Sequence, residues 1–352
     1  MAAMPDGYTL VPFDPATATR DEWARYHAFR RARAVERAPE DPVMPDAEHE
    51  IAMRPEPDGA AKRLLVRDGD DVVGILTLHW ITGGPMLATN GHLLNGSAAV
   101  LTRARRRGVG TALARVAADE MVALDRTVLT TGTSEDAGRR FLDGLGAECK
   151  LEASENRLDL RDIDWAMVET WAAEGPRRLT DTSLVFWPGR VPAAELAGYC
   201  AAVTKLMNLI PKDDLDQGEF VMTPELMTEF QSRVDAMHGA IHTMVTREPD
   251  GAYSGMTDVN YLPGQPDRIN QLFTGVDPAY RGRGLGKWLK AAMLLHIRGA
   301  YPDVRWIVTG NANSNDPMLS INHRLGFRAH RGESVYQIGR DALVARLAEL
   351  PL

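Results

Sequence analysis

Val276-Asp277-Pro278-Ala279-Tyr280-Arg281-Gly282-Arg283-Gly284-Leu285-Gly286-Lys287 joins a short apolar stretch to a helical one, and its reading decides the fold. Gln271 to Val276 reads as a strand, whereas Leu285, Trp288, Leu289 and Ala292 recur at helical spacing. Between them lies a loop of glycine and arginine. A helix N-terminus offers unpaired N–H groups and a partial positive charge, so a loop opening this way binds phosphate. Glycines let the backbone reach the ligand, and arginines add charge-assisted hydrogen bonds worth roughly 1.5–3 kcal/mol each.

Two common phosphate loops are excluded by spacing. A Walker A loop needs Ser or Thr after Gly286-Lys287, where Trp288 stands, and a glycine at position 281, which is Arg. A Rossmann loop needs glycine or alanine three positions after Gly284, where Lys287 stands, and a strand opening a βαβ unit rather than hairpins. The pattern that fits is arginine, two residues, glycine, one residue, glycine: Arg281, Gly284 and Gly286.

The context repeats along the chain. Leu64 to Arg67 and Val72 to Trp80 flank the turn residues Asp68-Gly69-Asp70-Asp71, and Ile241 to Arg247 and Ala252 to Tyr261 flank Glu248-Pro249-Asp250-Gly251. Each hairpin precedes an arginine-glycine loop and an amphipathic helix. In the first copy the loop is Arg105-Arg106-Arg107-Gly108-Val109-Gly110-Thr111, and Val109, Ala112, Leu113, Val116 and Ala117 form one helical face. Apolar strands follow at Thr127 to Thr130 and Trp306 to Thr309. This is a duplicated domain, with a period far longer than that of a solenoid repeat.

Downstream of the second loop come Thr309-Gly310-Asn311-Ala312-Asn313-Ser314-Asn315 and then Leu325-Gly326-Phe327. Together with the arginine-glycine loop, these motifs resemble the GNAT superfamily of N-acetyltransferases. The tandem arrangement is similar to that of mycothiol synthases. The first copy keeps the loop, but Thr133 to Ala147 has no asparagine cluster and Gly146 is followed by Ala147. The resemblance therefore implies an α/β (α+β) architecture of two tandem GNAT folds, each a mixed, mostly antiparallel sheet flanked by helices with a central coenzyme-binding helix. The expected division is a degenerate, non-catalytic domain over 1–160, a linker over 161–177 and a catalytic domain over 178–352.

The resemblance also implies function. Acetyl-CoA is the expected donor, held by Val276, Arg281, Gly282, Arg283, Gly284, Leu285, Gly286 and Lys287, with Asn311 and Asn315 beside the pantetheine arm. Residues 105–111 are a second cofactor site by the same reasoning. Transfer is expected by direct attack of a neutral amine on the thioester, with the Val276 amide stabilising the oxyanion. The acceptor is a small-molecule or peptide amine; the alternatives are a protein acetyltransferase or a non-catalytic coenzyme A sensor. A primary amine must first lose its proton, at about 4–5 kcal/mol near neutral pH, and Asp258 is the candidate base. Asn322 stands where many GNAT enzymes carry a tyrosine acid.

Composition agrees with this class. The chain has 352 residues, 44% hydrophobic and 25% charged, with a formal charge of −8, which suits a folded protein and argues against nucleic acid as partner. The absence of a long apolar run and of a basic-then-apolar start, with only Cys149 and Cys200, points to a reduced, cytoplasmic protein without a membrane span. His238 and His242 are four apart, but no third ligand accompanies them, so no metal site is expected. Finally, Asp213, Asp214, Asp216 and Glu219 lie in the connection Ile210 to Thr223. Carboxylates at a cleft mouth would attract a cationic acceptor.

Overall fold

The computed structural model describes residues 4–350. Its elements begin with β1 (Tyr8–Pro12), α1 (Arg20–Arg37), α2 (Asp46–Ala52), β2 (Gly59–Asp68), β3 (Asp71–Ile81), α3 (Leu87–Asn90), β4 (Leu93–Val100), α4 (Val109–Ala123), β5 (Val128–Thr133), α5 (Asp136–Gly144) and β6 (Glu148–Asp159). They continue with α6 (Trp165–Arg178), β7 (Ser183–Pro188), α7 (Ala193–Met207), α8 (Pro224–Ala236), β8 (Ala240–Arg247), β9 (Tyr253–Tyr261) and β10 (Arg268–Val276). The last are α9 (Leu285–Ala300), β11 (Trp306–Ala312), α10 (Asp316–Leu325), β12 (Arg328–Gly339) and α11 (Arg340–Glu349). Both expected hairpins form, with Asp68 opposite Asp71 around Gly69 and Arg247 opposite Tyr253. None of the described helices is long and apolar enough to cross a membrane.

Two compact units result. In the first, β1 to β5 form a mixed sheet in sequence order, and only the β4–β5 pair is parallel. The periodic face of α4 buries Leu113, Val116, Ala117 and Met121 against Leu64, Val66, Leu76 and Leu78 on one side of it. Each such Leu, Val or Met side chain contributes about 1.5–3 kcal/mol of transfer free energy. The other side is covered by α1, whose Tyr26 and Phe29 pack with Phe13, Leu65 and Val72. Thr19 fixes the start of α1 through a reciprocal capping box with Glu22.

The second unit is built alike. Its sheet runs β11, β10, β9, β8, β7, with the β10–β11 pair parallel and the rest antiparallel. Leu289, Leu294 and Ile297 of α9 pack on Met244, Val259 and Ile269, while Tyr199, Val203 and Leu206 of α7 and Met227 of α8 pack on Val245 and Met256.

The units are not the contiguous halves that the sequence suggests. Residues from Glu333 onward and Lys212–Glu219 belong to the first unit, and Ala153–Pro211 to the second. Ser334 to Gly339 of β12 pair with β5, and Ala153 to Asp159 of β6 pair with β11. Strand periodicity specifies which face of a strand is buried but not which strand lies beside it, so this exchange is invisible in the sequence. The expected linker is occupied by α6 over 165–178, which runs through Gly175-Pro176. Gly175 has a packing role, because a Cβ there would fall 2.2 Å from the Trp288 indole.

Candidate functional site

The duplicated loops have one backbone geometry. Arg105 Nε donates to the Val100 carbonyl at 2.9 Å and Arg281 Nε to the Val276 carbonyl at 3.4 Å, each tying the loop to the end of its strand. Left-handed residues follow at the same two places, Arg106 (φ 61°) and Gly108 (φ 80°) in the first unit, Gly282 (φ 78°) and Gly284 (φ 88°) in the second. Glycine adopts this region freely, whereas Arg106 bears a cost of about 1–2 kcal/mol. Neither α4 nor α9 has a side-chain N-cap, so both present bare backbone N–H groups at the loop.

Ahead of each loop a parallel strand pair opens. β4 pairs with β5 only over Leu93 to Gly96, and β10 with β11 only over Arg268 to Asn270. Beyond those residues the strands diverge, and their free edges face a gap. The residues of β4 and β10 beyond the pairing differ. With Val100 and Val276 each five residues before its arginine, Ser97 corresponds to Phe273 and Ala99 to Gly275.

In the first unit these small residues leave a cavity of about 460 Å³, lined by Gly96 to Val100, Arg33, Arg105, Gly108, Thr111 and Phe141. In the second, the Phe273 ring folds over Gly275, where a Cβ would lie 2.5 Å from the ring and 3.3 Å from Leu206 Cβ. The end of α7 is held there by an ion pair between Lys205 and Asp277. Burial pushes the Asp277 carboxyl up, but Lys205 outweighs it and the group sits below its ordinary value.

The residues expected to act in the second unit have the following surroundings. Arg281 is exposed and Val276 half-buried, while Arg283 is engaged by Glu248 at 3.1 Å and by the Thr182 hydroxyl at 2.8 Å. Lys287 lies 5.3 Å from the centre of the Trp171 ring. Leu285 and Gly286 are buried at the start of α9. Asn315 precedes α10 without a capping hydrogen bond. Asn322 is 1% exposed and donates to Asn311 Oδ1 at 3.0 Å, with its own Oδ1 unpartnered; it serves the β11–α10 packing. Asp258 accepts from Thr243 Oγ1 at 2.6 Å, and burial pushes its carboxyl up to about 6 despite the bonds from Thr243 and Tyr199.

The acidic segment groups with the first unit. Asp216 pairs with His92 at 3.0 Å, the Asp214 amide donates to the Lys150 carbonyl, and the Glu219 carbonyl accepts from Asn90. Asp213 takes a left-handed φ of 45°. These contacts fasten the segment through its backbone as much as through its carboxylates.

In the first unit the cavity mouth is a charged cluster that sequence reading missed. Glu135, at the N-cap of α5 where the second unit has Asn315, joins Arg33 to Arg105, the latter at 3.1 Å. Burial raises the Glu135 carboxyl, but both guanidiniums outweigh it and hold it below its ordinary value. The loss of the asparagines made this copy read as eroded. The signal that could have found it is the run Gly96-Ser97-Ala98-Ala99, too small for a strand meant only for packing.

The family match lies over the same unit. The model of the "Acetyltransferase (GNAT) family" matches residues 22–147. No curated protein matches the chain. Among solved structures, a tandem GNAT protein from the clavulanic acid biosynthesis pathway, solved without AcCoA, is 24% identical with a TM-score of 0.76, covering 95% of this chain and 98% of that one. A GCN5-related N-acetyltransferase from Sphaerobacter thermophilus is 14% identical with a TM-score of 0.63, covering 96% and 97%. Residues 22–147 therefore match the GNAT acetyltransferase family, and the chain as a whole has the fold of a tandem GNAT protein.

Proposed function

We propose that the chain moves an acetyl group from acetyl-CoA to an amine, and that the first unit does it. The observation that carries this is the open cavity where Ser97 and Ala99 stand, set against the Phe273 ring over the corresponding Gly275. The residues fit the donor: Gly108, Val109 and Gly110 offer helix N-terminal amides to its pyrophosphate, Arg105 and Arg106 offer charge, and the unpaired edge of β4 offers backbone groups to its arm. The bound donor would supply an activated thioester. A β4 amide aimed at its carbonyl would stabilise the oxyanion by a few kcal/mol.

The amine must arrive neutral. Thr77 lies opposite Ser97 and His79 opposite Asn95 on the β3–β4 ladder, so all four side chains share one face of the sheet. Burial, then the charge of Arg63, holds the His79 imidazole below its ordinary 6.5. It is therefore neutral at pH 7 and, being exposed and outside the cavity lining, would take the amine proton through water. Neither cysteine has a place in this scheme: burial pushes the Cys200 thiol up to about 11, and burial and the Glu152 carboxylate hold the Cys149 thiol above its ordinary value. The experiment is acetyl-CoA-dependent thiol release over a panel of amines with His79→Gln beside wild type. A lost acidic limb in the pH–rate profile supports this assignment, and an unchanged profile removes His79 from it. The second unit keeps the loop geometry, so calorimetric titration with acetyl-CoA also counts its sites.

A further inference from the structure

We infer that the first unit selects free coenzyme A thioesters over the same thioester on a bare or carrier-bound phosphopantetheine, because Arg106 and Phe141 hold the nucleotide end that coenzyme A alone carries. The inference rests on placing the donor in the first unit. All these donors share the phosphopantetheine arm, so the amides at the start of α4 and the gap beyond Gly96 receive them alike. Discrimination has to come from residues beside the phosphate turn that the shared arm leaves unused.

Two residues of the cavity lining answer to this. Along the run 103–107, Arg103 is paired with Asp71, Arg105 with Val100 and Glu135, and Arg107 with the Tyr8 hydroxyl. Arg106 is exposed and makes no ion pair or hydrogen bond among the described residues. Its whole planar fork of donors is therefore open to an anion. It stands two residues before Gly108 in a left-handed conformation, φ 61°, that the second unit gives to Gly282. Glycine is the residue this backbone favours, and the first unit keeps a guanidinium there. The pyrophosphate already has the α4 amides. The anion left over is the 3′-phosphate, a monoester that carries close to two charges near neutral pH.

Phe141 supplies the other half. It is 38% exposed on α5, and its ring packs on the first turn of α4, where a Cβ on Gly110 would lie 3.3 Å from it. In the second unit Ile321 makes the same contact, at 3.3 Å from a Cβ on Gly286. An aliphatic side chain thus suffices for the packing, and the first unit instead presents a flat ring, partly open, beside the phosphate turn. Such a ring is a stacking surface for a base. The second unit, with Gly282 and Ile321, has neither the cation nor the ring.

The test is calorimetric titration of the full chain with acetyl-CoA, acetyl-dephospho-CoA and S-acetyl-4′-phosphopantetheine, the last standing for the carrier-bound arm. Wild type should bind acetyl-CoA about tenfold to a hundredfold more tightly than acetyl-dephospho-CoA, the effect of a charge-assisted contact. Arg106→Gly should erase that preference and leave acetyl-dephospho-CoA affinity unchanged. Because glycine suits φ 61°, it should do so without loss of thermal stability. Phe141→Ile should weaken both nucleotide-bearing donors about fivefold or more and spare S-acetyl-4′-phosphopantetheine. Equal wild-type affinity for the three donors overturns the inference. So does a preference that persists in Arg106→Gly, or a Phe141→Ile loss that extends to S-acetyl-4′-phosphopantetheine. If none of the three binds, the placement of the donor falls and takes this inference with it.

Discussion

Asp258→Asn should make the protein more stable at neutral pH, by an amount that follows from where the carboxyl sits. Asp258 is 5% exposed between β8 and α7, and its environment lifts it from an ordinary 3.8 to about 6. The protonated form is the one the core accepts. Below about pH 4 folded and unfolded chains both hold the proton, and there is no penalty. As pH rises through 3.8 the unfolded chain releases it while the folded one keeps it, so stability falls until about pH 6 and stays lower above. At about 1.4 kcal/mol per pH unit, that gap is worth about 3 kcal/mol. The amide oxygen of asparagine still accepts from Thr243 Oγ1, so an exchange of hydrogen-bond type takes back about 1 kcal/mol. Urea denaturation at a series of pH values should therefore show the variant about 2 kcal/mol more stable above pH 6, with the stabilisation gone near pH 4. A destabilised variant at pH 8 would refute the reasoning. Loss of thiol release in a folded Asp258→Asn would restore Asp258 as the base.

Other consequences follow from the same structure. Arg105→Glu places a third carboxylate beside Glu36 and Glu135 and frees the loop from Val100, so acetyl-CoA affinity measured by calorimetry should fall about tenfold or more, while Arg281→Glu should leave turnover standing. Lys290 is 2% exposed against the Phe327 ring, and burial pulls its amine down to about 7. Stability should therefore rise between pH 7 and pH 10, where unfolded chains bind the proton that the folded chain has lost. Denaturation curves of Lys290→Met should be flatter across that range. Cys200→Ala should leave thiol release unchanged, because the proposed direct transfer uses no acyl-enzyme.

Much of the fold could be read from spacing. The Asp68 to Asp71 and Glu248 to Gly251 turns, the inner faces of α4 and α9, and the left-handed Gly108, Gly282 and Gly284 all stand where the residues imply. The partners of β6 and β12 could not, since a strand's period is the same beside any neighbour. The site was harder. Asn311, Asn313 and Asn315 drew attention to the second unit, yet Asn311 spends its side chain on Asn156 and Asn322, and Asn313 on Ser154. The residue on which the proposed division between the units turns is Phe273, a single aromatic in a strand, and a strand aromatic looks like core until its neighbours are known. Arg33 was hidden for the opposite reason. Among the many arginines of α1 nothing in the sequence marks the one that lines the cavity.

The central claim is that the first unit holds the reacting thioester, and one comparison tests it directly. Ser97→Phe transplants the ring of the second unit into the cavity of the first, and Gly284→Val forces a β-branched residue into a left-handed position at φ 88° in the second loop. Acetyl-CoA-dependent thiol release should vanish in folded Ser97→Phe and persist in folded Gly284→Val. Turnover that survives Ser97→Phe and is lost in Gly284→Val would place catalysis in the second unit and contradict the account.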